Sequence, residues 1–171
     1  ITNNGTRPIN AIYSLGNTAS PNTGNLITNN EFKDCLNWGA GSQVIGLANT
    51  TFNTGWTIKG NKFYDTGIAT SNTSVSIINV QIGTGYDISD NVIGGSASDN
   101  SGTWTKSSNN SPAFIGINLA SATTGGTASS IKNNVIKNFS WTNSSGGTWT
   151  GILVGSASAA TIDGNSIGDN T

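Results

Sequence analysis

Ile131-Lys-Asn-Asn134-Val-Ile136 decides how this chain is read, because the chain writes it repeatedly. The other copies are Ile1-Thr-Asn-Asn4, Ile27-Thr-Asn-Asn30-Glu-Phe32, Ile58-Lys-Gly-Asn61-Lys-Phe63, Ile88-Ser-Asp-Asn91-Val-Ile93 and Ile162-Asp-Gly-Asn165-Ser-Ile167. The asparagines fall at 4, 30, 61, 91, 134 and 165, in steps of 26, 31, 30, 43 and 31 residues. A period near thirty is the mark of a stacked repeat, in which one unit cannot bury its own apolar face but a pile of them can.

The two apolar residues of each copy are five apart, as in Ile58 and Phe63. Side chains alternate faces along a strand, so residues an odd number apart point opposite ways. Both reach one core only if the chain turns a corner between them. Asn at that corner suits a sharp bend, since it tolerates the left-handed region and bonds its own backbone. Gly60 and Gly164 add freedom at positive φ. A second apolar strand follows in each unit, at Ala11–Leu15, Val44–Leu47, Val75–Ile82, Phe114–Leu119 and Gly151–Val154. These are short, β-branched and bounded by turn residues. Helical periodicity is absent.

The pattern predicts an all-β, right-handed parallel β-helix of about five coils plus a partial one, each near thirty residues. Equivalent bends then superpose. Asn4, Asn30, Asn61, Asn91, Asn134 and Asn165 are expected to form a ladder in which each amide bonds the next. A second row, Asp34, Asp65, Gly95, Asn138 and Asp169, stands four residues after each asparagine and reads as a turn closing the short strand. The sharper reading of Asp34 and Asp65 is a calcium bridge between adjacent coils, but Gly95 breaks the row and the expected metal content is none. Residues 1–171 read as a single segment of a longer chain, with a longer loop at 94–112. Adjoining coils of that chain, or end-to-end assembly, would cover the edges of the stack.

Composition excludes several function classes. Charged residues are 9% of the chain and the net charge is −1, with Arg7 the single arginine, so no clustered basic surface exists for nucleic acid. No apolar run is long enough to span a membrane. The lone Cys35 builds no disulfide framework and reads as a small packed hydrophobe. Histidine is absent, which removes His-based nucleophilic catalysis and the commonest zinc ligand. Asp87 and Asp90 are the nearest approach to a carboxylate pair, and turn chemistry explains them more simply than glycoside hydrolysis. The row Leu26, Thr57, Asp87, Ser130 and Thr161 is too irregular for a flat threonine file of the ice-binding kind. Trp104 and Trp149 each sit in Gly-Thr-Trp-Thr ahead of a strand and are the candidate glycan contacts, against a reading in which they fill the core. No residue is assigned as catalytic.

The stretch Ile131-Lys-Asn-Asn-Val-Ile-Lys-Asn-Phe-Ser140, with Trp149-Thr-Gly-Ile152 and Ile162-Asp-Gly-Asn-Ser-Ile167, resembles the repeats of large secreted β-helix proteins of the Bacteroidota type. Gly5-Thr-Arg-Pro-Ile-Asn-Ala-Ile-Tyr13 and Asn22-Thr-Gly-Asn-Leu-Ile-Thr-Asn-Asn30 resemble the same group. The similarity runs over essentially the whole chain and is specific for the fold. It implies export by the type IX secretion route and an adhesin or filament role at the bacterial cell surface, with surface glycans or other surface proteins as partners. It carries no catalytic residues. The expectation is a non-catalytic extracellular structural or adhesin segment. The rivals are a carbohydrate-active β-helix (lyase, hydrolase or glycan-binding module) and a phage or filament fibre component.

Overall fold

A computed structural model describes residues 7–37, 39–48, 52–70, 73–107, 109–120, 126–144, 146–155 and 159–168. Asn4, Trp38 and Asp169 lie outside them. Among the described residues every element is a strand, and every strand pairing is parallel. The strands stack as a β-solenoid of about four turns.

Three five-stranded walls run its length. The first contains Asn10–Ser14, Ser42–Leu47, Val75–Val80, Phe114–Leu119 and Trp149–Val154. The second contains Leu26–Thr28, Thr57–Lys59, Asp87–Ser89, Ser129–Lys132 and Ala160–Asp163. The third contains Glu31–Lys33, Lys62–Tyr64, Val92–Ile93, Val135–Ile136 and Ser166–Ile167. Two minor sheets fill corners. One is Ile68–Ala69, Trp104–Lys106 and Phe139–Trp141, and the other is Asn22–Thr23 with Asn53–Thr54.

The repeat puts like on like. Ile27, Ile58, Ile88, Ile131 and Ile162 are in register up the second wall. Phe32, Phe63, Ile93, Ile136 and Ile167 do the same in the third, and Phe32 stacks on Phe63 with ring centroids 4.8 Å apart. Ile12, Ile45, Ile78, Ile117 and Ile152 face them from the first wall. Each such side chain taken fully out of water contributes roughly 1.5–3 kcal/mol, and the column is continuous, so the core has no weak middle.

The bend between second and third walls holds a chain of amides. The backbone N–H of Asn30 donates to Asn61 Oδ1 (2.9 Å), that of Asn61 to Asn91 Oδ1 (3.0 Å), that of Asn91 to Asn134 Oδ1 (3.0 Å) and that of Asn134 to Asn165 Oδ1 (2.9 Å). Each Nδ2 donates to the same oxygen as well, at 2.9–3.1 Å. The second amide hydrogen of Asn61, Asn91, Asn134 and Asn165 goes to the carbonyl of Ile27, Ile58, Ile88 and Ile131 respectively. Buried amides thereby satisfy the backbone groups that a corner would orphan.

The location of the strained residue differs from the sequence expectation. The ladder asparagine does not adopt positive φ; the residue before it does. Asn29, Gly60, Asp90, Asn133 and Gly164 have φ of 54–66°. Only Asn, Asp and Gly enter that region at low cost, and only those types occur there. The two glycines also make room for the rung below, since a Cβ on Gly60 would lie 2.4 Å from Asn29 Oδ1 and one on Gly164 would lie 2.3 Å from Asn133 Oδ1.

Candidate functional site at the long loop

The repeat is interrupted once, between the third-wall strand ending at Ile93 and the first-wall strand beginning at Phe114. Gly94 starts the departure. Its φ is 123°, and a Cβ there would sit 1.8 Å from Lys137 O, so the strand leaves the wall where no side chain is tolerated. The loop then folds back on itself. Asn100 N–H donates to Ala97 O (3.0 Å), and Ser96 N–H to Ser101 O (2.9 Å).

Asn138, from the next rung, fastens both ends of this turn. Its carbonyl accepts from Gly95 N–H (3.3 Å) and Trp104 N–H (2.9 Å), while its side-chain amide donates to Asn100 O. The row of turn residues that includes Asp34 and Asn138 is therefore a corner with different tasks on different rungs. Asp34, Gly95 and Asn138 take positive φ there, whereas Asp65 does not.

Beyond the turn, Trp104–Lys106 adds a strand to the minor sheet, with Trp104 opposite Phe139 and Lys106 opposite Trp141. Lys106 has no exposed surface. Its ammonium donates to Asn110 O (2.7 Å), Asn143 Oδ1 (2.8 Å) and Thr142 O, and lies 5.5 Å from the centre of the Trp141 ring. Loss of solvent pulls its pKa below the usual lysine range. The lysine pins the returning half of the loop to the following rung. Nothing in the local sequence marks it, because one lysine among polar residues reads as a solvated surface charge.

Trp104 and Trp149 do not share one exposed face. Trp104 is 2% exposed, stacked on Phe139 (5.4 Å) and edge-on to Phe114 (6.2 Å), which leaves no ring surface for a ligand. Trp149 lies in the first wall instead, stacked on Phe114 at 5.7 Å. It is half-buried and borders a cleft of about 350 Å³ at the last rung, with Phe139 and Trp141. The two indoles belong to one aromatic cluster but stand in different sheets, separated by Phe114 and Phe139.

The Asp34–Asp65 pair occupies the same corner on the two rungs below the loop. The Arg7 guanidinium reaches both: two hydrogen bonds to Asp65 (one at 3.2 Å, the other to Oδ2) and a 3.7 Å contact to Asp34. It also donates to Leu36 O at 3.2 Å. The protein's own cation thus stands against the carboxylates that were candidates for calcium. Burial pushes the Asp65 carboxyl up despite Arg7. Burial works the same way on Asp34, but Thr66, donating from N–H (2.7 Å) and hydroxyl (2.9 Å), outweighs it and holds that carboxyl below the usual range. Cys35 packs half-buried against the core beside them, its thiol pushed up by burial and by Asp34. Asp90 pairs with Lys59 at 3.3 Å on the exposed bend. Among the described residues no three His, Cys, Asp or Glu side chains converge to hold a metal.

One recurrent signal went unused in the sequence. Thr-Gly stands three residues before the repeat isoleucine at Thr23-Gly24, Thr54-Gly55 and Thr84-Gly85, and all three glycines have φ of 65–72°. The aromatic residues that follow close the corner downward. Trp56 Nε1 donates to Asn22 O (2.8 Å), and Tyr86 Oη to Asn53 O and Ile82 O (2.9 Å).

Between the turn of the long loop and the outer face of the third wall lies an open groove of about 330 Å³. Val92 and Val135, neighbours in register, form its floor. Lys62, paired with Val92 on the preceding rung, and Lys137 rise at its sides, and Asp99 and Ser101 overhang it. The Ser101 hydroxyl, and after it the Ser101 N–H (2.9 Å), donate to Asp99 and hold that carboxyl below its usual pKa.

No protein-family model matches the chain, and no curated protein and no solved structure matches it.

Proposed function

We propose that this chain is a non-catalytic stalk or adhesin segment of a large secreted protein at the bacterial cell surface, wound as a right-handed solenoid of five coils and part of a sixth. The observation that carries the reading is the placement of its polar groups. The buried amides, Arg7 with its two carboxylates, and Lys106 are all engaged in holding one rung to the next. Such a column resists bending without any chemistry, and its one departure from the period is a fastened loop displayed on the outside. The right-handed winding follows the general preference of parallel crossovers. The export route rests on the resemblance of the repeats to type IX cargo.

Antibodies raised against the chain should label intact, unpermeabilised cells of the source organism, and brief protease treatment of those cells should remove the label. Labelling that appears only after permeabilisation would overturn the surface assignment. Incubation with a polysaccharide panel should release no new reducing or unsaturated ends; release of either would move the chain to the carbohydrate-active class.

A further inference from the structure

We infer that the groove between the long loop and the third wall binds an acidic saccharide, one bearing a carboxylate or a sulfate. The inference deepens the adhesin reading and rests on it for its biological sense. The chemistry is local. Two ammonium groups, Lys62 and Lys137, stand against one carboxylate, Asp99, so the groove is net positive on a chain whose net charge is −1. Lysines meet an anionic group as point charges, without the bidentate geometry of an arginine fork.

The floor narrows the ligand further. Val92 and Val135 occupy outward positions that Lys62 and Ser166 fill on the flanking rungs. Adjacent rungs are about 4.8 Å apart, so the two valines make an apolar strip as wide as the C–H face of one pyranose ring. Among the described residues no aromatic side chain lines the groove to stack a base. Ser98, Asp99 and Ser101 line the same space, with Ser101 hydrogen-bonded to Asp99, so polar groups edge the apolar floor. Its volume is at the lower end of the ~300–1,000 Å³ typical of ligand sites, which fits a short saccharide. The loop is also pre-organised, since Asn138 and the Ser96–Ser101 bond fix it without a ligand.

Isothermal titration of the intact chain with 3′-sialyllactose, 3′-sulfated lactose and lactose tests this. At low ionic strength the two acidic sugars should bind and lactose should bind at least about tenfold more weakly, with the advantage shrinking as salt rises. If only one acidic sugar binds, it identifies the anionic group and the inference stands. Lys62→Ala and Lys137→Ala should each weaken binding about fivefold, the worth of a part-exposed ion pair. Lys33→Ala, exposed on the third wall but outside the groove, should leave it unchanged. Equal binding of lactose, absence of binding by both acidic sugars, or wild-type affinity in both groove variants would overturn the assignment. The cell-labelling result is independent of all of these, so failure here and failure of the surface reading are separable.

Discussion

The solenoid turns two corners around its third wall, and they are built on opposite principles. At the corner before the wall, Asn61, Asn91, Asn134 and Asn165 all work in the same way: each is a neutral asparagine whose oxygen accepts twice from the rung below. At the corner after it, each rung finds its own answer. Asp34 and Asp65 share Arg7, Gly95 opens into the long loop, and Asn138 clamps that loop shut. A neutral ladder propagates because every amide brings as many donors as its neighbours need. A carboxylate stacks on a carboxylate only with a cation or a shared proton between them, so charged corners have to be solved pair by pair. Repetition and individuality thus sit one short strand apart.

Removing the cation should expose that difference most strongly. Arg7→Ala leaves Asp65, only 1% exposed, as an uncompensated buried carboxylate, at a cost of about 3–5 kcal/mol in denaturant unfolding. Its pH dependence has a definite sign. Desolvation already raises the Asp65 carboxyl above its ordinary value, and without Arg7 it rises further. A raised folded-state pKa means the penalty is full at neutral pH and fades as pH falls through that value. The gap between wild type and variant should therefore narrow in acid; a gap of constant size would show that Arg7 acts by packing alone. Lys106→Met comes next in size. It keeps the aliphatic stem and removes the ammonium's bonds to Asn110, Thr142 and Asn143, for a loss of about 2–3 kcal/mol. Hydrogen exchange should accelerate around Asn110 and Asn143 while second-wall amides keep their protection.

The same contrast explains what the sequence disclosed. Ile-x-x-Asn is legible because the chain writes it six times, and a one-residue slip would turn a column of isoleucines outward. Arg7 meets Asp65 across 58 residues and Lys106 meets Asn143 across 37. Each contact occurs once, so neither has a period from which to infer it. The tryptophans show how local likeness misleads. Trp104 and Trp149 share Gly-Thr-Trp-Thr, yet the long loop shifts the first into the corner sheet, opposite Phe139, while the second enters the first wall, opposite Phe114. The groove was illegible for a related reason. Val92 and Val135 look like ordinary strand residues, and their outward orientation emerges only once the bend at Asn91 and Asn134 fixes which side of the third wall they occupy.

The smallest effect belongs to the repeated corner, and it should depend on height in the stack. Asn91 is fully buried. Its oxygen accepts from the N–H and the amide of Asn61, and its own amide serves Ile58 O and Asn134 Oδ1. Asn91→Ala leaves Asn61 N–H unpaired in a dry bend and takes one donor from Ile58 O, which should cost about 2 kcal/mol. Asn165 makes the equivalent bonds to Asn134 and Ile131, but it is half-exposed on the last rung described, and its flanking Ile162 and Ile167 are 53% and 50% exposed. Water can replace what Asn165→Ala removes, so the loss should stay below about 1 kcal/mol. Asn91→Asp should be worse than Asn91→Ala: it keeps the acceptor for Asn61 but faces Ile58 O and Asn134 Oδ1 with a charge instead of donors. If all three substitutions cost the same, the amides are fillers of space rather than a directional ladder, and the distinction between the two corners collapses into packing.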